Sequence, residues 1–571
     1  MTSTDSNLVE IVRGEMQPWT DYTQTRPPAA GAVLCGLLAD VLPTTRHALV
    51  VGPHGSDVID VVASRSSRAT VLLRSLSDAR ALAAEPRAGD VRFVAGGLDG
   101  LAGHVTDPFD AVLAADGLDR VLGADSPDLD WPDRLAELLR HAAEDAVVLV
   151  GCENGFSLTG VLDGRPPEQR YGDDEWIPLH EDPRRPGSAE QFADALRRAG
   201  VRDAATYATF YVDGLPHTLF DVRAASAARP GHLAGRLAVR ALEASAAGVP
   251  LLAPVADGAE AAIHAGLLAS LPQRWLAVRG KRGRTLYTLG NRAGLVVGAD
   301  LVGDDGGWRV TVADGAADAR GDGAGPVRVS PQAIPSRVPD AETMERLLFR
   351  AAAAGDVPRF RSLAAGIGDW VRARHAEDPA AVTCLDDLQP DGSGFAPGVY
   401  GWVASMPASA SDLLAAAWHR WYDRLISGHR QHPWPPWMTA SDLVGLWLKM
   451  AGDAPSPESL QRGREIADAL RAAMTVEAPE EPDLRTALAR AQDAEKRAFE
   501  LAGHIFGLER TIGFRDKQLR TRELRIRAMR QDMERLRASR AFRLVLFLQK
   551  LSATIRRPRR LARAVKRRLR L

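Results

Sequence analysis

From about Gly31 to Ala225 the chain alternates short, continuously apolar runs with amphipathic stretches. HALVVG (47–52), ATVLLR (69–74), VRFVAG (91–96), FDAVLAA (109–115) and AVVLVG (146–151) read as buried strands. Helical periodicity covers 57–64, 77–84 and 132–142 between them. This alternation predicts parallel strands joined by crossover helices, a Rossmann-like α/β sheet. An amphipathic helix over 188–200 then precedes ATYATFYV and HTLFDVRAA, and the short DGLP link between those runs predicts a closing antiparallel hairpin.

Arg229-Pro230-Gly231 breaks the pattern and sets an expected boundary, with residues 1–227 as the Rossmann-like domain. Residues 228–476 mix strand candidates (WLAVRG, LYTLG, GLVVGADLV, WRVTVA) with later Trp-rich helices, and are expected to form a second α+β domain. Gly, Ala and Asp crowd 313–326, a loop composition, and EAPEEPD (477–483) reads as a linker. From Leu484 a heptad takes over. One seam is Leu484, Ala491, Ala498, Ile505, Ile512, Leu519, Ile526 and Met533; the other is Ala487, Ala494, Leu501, Leu508, Arg515, Arg522, Met529 and Leu536. The pattern predicts a coiled coil over 484–538, and with it a homo-oligomer. A helix folded back on the globular body is the alternative.

Charge changes the picture at one end. Residues 540–571 hold 12 Lys or Arg and no Asp or Glu, which leaves the first 539 residues with 60 basic and 73 acidic side chains. Leu544, Leu548, Leu551 and Ile555 share one helical face of this tail. A basic amphipathic segment of this kind is expected to bind an anionic membrane surface rather than nucleic acid, whose binding arms rarely need a bulky apolar face. Three cysteines, Cys35, Cys152 and Cys384, lack metal-like spacing and fit a reducing compartment. No apolar run approaches the ~20 residues that span a bilayer, and the start of the chain lacks a signal-peptide pattern. The expected location is cytoplasmic, peripheral at the inner face of the cell membrane.

Candidate chemistry begins at the first strand–helix turn, ALVVGPHGSDVIDVVA (48–63). A glycine turn lets a ligand approach backbone amides at a helix start. The fourth strand adds PFDAVLAADGLDRV, with Phe109, Asp110 and Val112, and the 188–200 helix precedes the hairpin. In this order of elements the first ~225 residues resemble class I S-adenosylmethionine-dependent methyltransferases. The resemblance implies S-adenosylmethionine as cofactor, bedded on Gly52, His54, Gly55, Asp57, Asp99 and Asp116. The match departs from the family's motifs at Val50, where an acid belongs, at His54 and Ser56, where glycines belong, and at Arg74 or Ser75, where the ribose-holding acid belongs.

Other residues have both chemical and structural readings. Glu153 and Asn154 follow the fifth strand; His217 and Tyr207 could act as bases; His429 and His432 are three apart, but no third metal ligand accompanies them. TCLDDLQPDGSGF (383–395) is a poor likeness of a kinase-like catalytic stretch. The order of parts resembles membrane-associated glycan-modifying methyltransferases with a C-terminal coiled coil. Two function classes stay open. One is an enzyme that O-methylates a glycan or cell-envelope precursor, its catalytic residues unassigned and no metal expected. The other is a catalytically silent methyltransferase-like scaffold of an envelope-glycan machinery.

Overall fold

The computed structural model describes residues 9–165 (except 18, 24, 25 and 106), 182–290, 295–302, 306–313, 325–392, 394–454, 456–474 and 484–539, with 543, 544, 547 and 548. The chain divides into two units, Met1–Ala478 and Pro479–Leu571.

The expected parallel strands are present: β1 (Val9–Ile11), β2 (Thr45–Val51), β3 (Ser66–Leu73), β4 (Val91–Ala95), β5 (Phe109–Ala114) and β6 (Ala142–Glu153). They lie in the order β1-β4-β3-β2-β5-β6, every neighbouring pair parallel. The order reverses between β2 and β5, the switch point of a doubly wound sheet. Both faces of such a sheet are covered, which explains why the strands read as unbroken apolar runs. Leu49, Val50 and Val51 of β2 and Val112, Leu113 and Ala114 of β5 are all fully buried. Helices α1 (Ala32–Val41), α2 (Ser56–Arg65), α3 (Leu76–Ala83), α4 (Trp131–Arg140) and α5 (Ala189–Arg198) flank the sheet. Local chemistry sets several of their starts. Ser75, Asp130 and Ser188 each accept a hydrogen bond from a first-turn amide of α3, α4 and α5.

The closing region differs from expectation. β7 (Ala205–Val212) and β8 (Leu215–Asp221) do form the antiparallel hairpin, turning at Asp213 and Gly214, both with positive φ. The strand that stands beside β6, however, is β9 (Arg274–Arg279), antiparallel to both β6 and β7. β10 (Leu286–Leu289), β11 (Val296–Val302), β12 (Gly307–Val312) and β14 (Arg337–Pro339) then extend the sheet from β8; β13 (Val327–Val329) lies outside it. The expected boundary at 227/228 therefore does not separate two domains. WLAVRG, read from the sequence as part of a second α+β domain, is the strand that joins the parallel half of a 13-stranded sheet to its antiparallel half. An apolar run carries no mark of which neighbour will pair with it, so periodicity alone placed this strand in the wrong unit.

Between β8 and β9 lie α6 (Leu233–Ser245) and α7 (Val255–His264). After the sheet come α8 (Met344–Ala353), α9 (Val357–Glu377), α10 (Ala410–Ser427), α11 (Ala440–Met450) and α12 (Pro457–Met474). Phe360, Trp418, Trp421, Trp434 and Trp447 form one aromatic cluster among them, with Trp421 and Trp447 at 4.7 Å and near-perpendicular. The last described element is α13 (Leu484–Ala538), a single helix of 55 residues. Among the described residues no helix is long and apolar enough to cross a membrane. The linker 477–483, most of the 313–326 loop and nearly all of the basic tail 540–571 lie outside the described residues.

A truncation tests this architecture. A fragment of residues 1–227 lacks β9, so β6 and β7 lose the neighbour they share and Val150, Cys152 and Tyr207 lose cover. It is expected to be insoluble or to lack a near-ultraviolet circular dichroism signal, whereas residues 1–478 retain one.

Candidate functional site

In an open α/β sheet the ligand crevice lies beyond the carboxyl ends of the strands at the switch point, here between β2 and β5. The carboxyl end of β2 leads through Gly52, with φ of 85°, to Pro53 and His54. The His54 side chain is wholly buried. Its Nδ1 stands 3.0 Å from the Gly52 carbonyl oxygen, and its Nε2 accepts a hydrogen bond from the Ala115 amide at 3.1 Å. One imidazole thus ties the end of β2 to the end of β5 across the crevice. Because Nε2 accepts, the ring is neutral and its proton is on Nδ1, donated to Gly52. Burial favours the same state by pushing the imidazole pKa below its usual value.

The helix start beyond it is also taken. The Gly55 amide, which would face a ligand, donates to Ala29 O at 2.9 Å, and Ala29 N donates to Pro53 O at 3.0 Å. A Cβ on Gly55 would stand 2.5 Å from the Ala30 Cβ, so glycine is what lets residues 29–30 lie against the turn. Asp57 turns back to accept from the Gly31 amide at 2.7 Å. The Tyr22 hydroxyl donates to His54 O at 2.7 Å.

At the end of β3, where a ribose-holding acid belongs, stands Arg74. Its Nε and Nη2 donate to Asp21 at 2.8 and 2.6 Å, with the Trp19 ring against the guanidinium. Ser75 is buried and donates to Trp19 O at 2.7 Å. Met16 N donates to Arg74 O, and Leu76 N to Met16 O, so Met16, like Trp19 and Asp21, is held along this edge. At the end of β5, Asp116 meets Arg120 at 2.6 Å and Arg274 at 3.1 Å, all three buried or nearly so. Burial alone would raise the Asp116 pKa, but Arg120 and Arg274 outweigh it and hold the carboxylate well below its usual range. Arg120 also donates to the carbonyls of Asp21, Arg26 and Pro27. Asp99, expected near an adenine, accepts from Ser126 at 2.6 Å and pairs with Arg13.

The six residues expected to bed a cofactor therefore lie along one edge, but each already has a partner from the protein or is closed over by it. Adenosine hydroxyls need acceptors at the end of β3, and the group there is a guanidinium paired with its own acid. The donor's amino-acid portion needs amides at the turn, and Gly55 N is occupied. In this structure the Gly55 amide, the Asp57 carboxylate and the Arg74 guanidinium are engaged by protein partners.

The remaining candidates have structural roles. Asn154 donates to the carbonyls of Ser270 and Pro272 and accepts from Phe156 N, fastening the end of β6 to the approach to β9. Glu153 pairs with Arg26 at 3.1 Å. Tyr207 packs edge-on against Tyr287, and burial raises its pKa, which disqualifies it as a base at neutral pH. His217 is half-buried and pushed down to about 4 by desolvation and Arg240. Asp387, in the kinase-like stretch, accepts from the Val399 and Tyr400 amides and pairs with Arg236, and Asp386 pairs with Arg420. Neither is free to take a substrate proton. His429 has a φ of 47° at the end of α10, and His432 lies against Trp434. Among the described residues no group of three or more His, Cys, Asp or Glu could hold a metal. Sequence reading missed Asp21, Arg26, Arg120 and Arg274. The Asp116–Arg120 spacing of four was a visible signal, whereas Arg274 lies 158 positions from Asp116 and gave none.

No protein-family model and no curated protein matches the chain. Several solved structures similar to it are methyltransferases. One is the N-methyltransferase NodS from Bradyrhizobium japonicum WM9 with S-adenosyl-L-homocysteine, at 15% identity and TM-score 0.17, covering 22% of this chain. The chain spans 59% of that enzyme, and 65% of it in a second NodS structure. Another is CalS10, an amino pentose methyltransferase from Micromonospora echinaspora with S-adenosylmethionine bound, at 23% identity and TM-score 0.15, covering 19% of this chain and 42% of that one. A third is an S-adenosylmethionine-dependent methyltransferase from Archaeoglobus fulgidus, at 15% identity and TM-score 0.24, covering 44% and 93%.

His54 also predicts a pH response. Its folded pKa lies below the ~6.5 of an unfolded histidine, so the unfolded chain binds more protons in acid and stability falls as pH drops below about 6.5. His217, pushed down to about 4, acts in the same direction. Urea melts at pH 7.5 and 5.5 should show the lower stability at 5.5. His54→Ala strands Ala115 N–H and Gly52 O and should cost about 2–4 kcal/mol at pH 7.5, with a smaller difference between the two pH values.

Proposed function

We propose that this chain is a catalytically silent, methyltransferase-like scaffold, held at an anionic membrane surface by its basic C-terminal residues. The observation that carries this reading is the wholly buried His54 ring bridging the two strand ends at the switch point. The crevice that would bed a donor is instead an internal joint between the strand ends and the segment from Met16 to Gly31. Displacing it would break the Arg74–Asp21 pair and the contacts of Arg120, and breaking one such buried pair typically costs about 3–5 kcal/mol. A ligand would have to repay that before binding at all.

The membrane part rests on sequence: 12 basic and no acidic side chains in residues 540–571, with an apolar face through Leu544 and Leu548. An association with envelope glycans rests on the order of parts alone, a Rossmann-like body followed by a long helix and a basic tail.

Calorimetric titration of the full chain with S-adenosylmethionine and S-adenosylhomocysteine, each to 1 mM, is expected to give no binding heat and no shift in Tm. Saturable binding would overturn the silent reading in favour of the alternative, a methyltransferase acting on a glycan or envelope precursor. A chain ending at Ala538 should lose sedimentation with vesicles containing phosphatidylserine, while the full chain keeps it and releases as salt rises. Equal sedimentation of the two, or release by competing duplex DNA, would overturn the membrane assignment.

A further inference from the structure

We propose that two copies of the chain join through α13 as a parallel, in-register coiled-coil dimer, in which Arg515 and Arg522 inside the seam are held by Asp516 and Glu523 of the second copy. This goes beyond the scaffold reading and stands whether or not a cofactor binds.

The helix carries a long, exposed apolar stripe. Ile505, Ile512, Leu519, Ile526 and Met533, seven apart, are 45–57% exposed. Leu501, Leu508, Met529 and Leu536 form the companion row, and all are more than half exposed. A stripe of this length on a soluble protein marks an interaction surface. Its occupant must repeat every 3.5 residues, because an apolar stripe with a strict seven-residue period stays aligned only with a helix of the same period. A second copy of α13 has that period by construction. The helix also needs support. Gly503, Gly507 and Gly513 lie within it, each with open space where a Cβ would stand, and glycine weakens an isolated helix.

The choice of residues selects the arrangement. With the isoleucines at the first core position of the heptad and leucines at the second, two parallel strands are favoured. Arg515 and Arg522 stand at the second core position. Each such side chain inserts into a hole of four residues on the facing helix, and in a parallel in-register pair that hole includes the residue one position further along. Those residues are Asp516 and Glu523. Both arginines therefore meet a carboxylate, and the register that provides one provides the other. At the flanks, His504 lies across from Glu509 and Asp532 across from Arg537, while Arg525 against Arg530 is a like-charge pair.

Sedimentation velocity of the full chain is expected to give twice the 61.4 kDa chain mass at low micromolar concentration. Ile512→Asp with Ile526→Asp should give monomer without changing the thermal transition of the buried tryptophans. Asp516→Arg with Glu523→Arg should weaken association at least tenfold. Adding Arg515→Glu and Arg522→Glu to that variant should restore it, which a merely structural helix would not show. Oxidised Leu508→Cys should run as a covalent dimer, since like positions are level only in the parallel register. A monomeric wild type, a trimer mass, failure of the charge swap to restore association, or absence of the cross-link would each overturn the proposal.

Discussion

The Arg120 guanidinium holds the carboxyl edge of this sheet together. It donates to both oxygens of Asp116 and to three backbone carbonyls between Asp21 and Pro27. Guanidinium suits this place because it presents its donors in a fixed plane and keeps its charge when buried. Without it the backbone carbonyls of the N-terminal segment would lose their guanidinium anchor over β5, and Asp116 would lean on the more distant Arg274 and Arg26 as counter-charges. Met16 lies against the end of β3 and Ala29 against the end of β2, and between them Arg74 fastens Asp21 while Arg120 fastens Asp21, Arg26 and Pro27.

That crossing converts the place where a doubly wound sheet ordinarily binds a ligand into part of its interior. Four polar groups along the edge are satisfied inside the chain: Gly55 N by Ala29, Asp57 by Gly31 N, Ala115 N by His54, Arg74 by Asp21. Burying such groups is tolerable only with partners of good geometry, and the crossing supplies them. The strand order and the chemistry at its carboxyl edge depend on different residues, so the two can vary separately.

The extended sheet has a related logic. β9 pairs with β6 on one side and β7 on the other, and α6 packs over β7 and β8, so the region after residue 228 is built onto the first sheet. The long helix α13 is a separate unit with its own periodicity.

The sequence by itself determined the local elements and the first half of the topology. Runs such as HALVVG and FDAVLAA, short and bounded by turn residues, read as strands buried on both faces, helix starts are marked by Ser75, Asp130 and Ser188, and a seven-residue period over 484–538 favours one long helix. It also showed Val50 and Arg74 at places where the family it resembles has acids. What only the tertiary structure decided was pairing between distant segments. That WLAVRG would stand between β6 and β7, that Asp21 would reach Arg74, and that Arg274 would reach Asp116 depend on contacts far apart in the chain. Such contacts leave no periodic trace, because hydrophobicity specifies that a strand is buried but not beside which strand, and a charge does not name its partner.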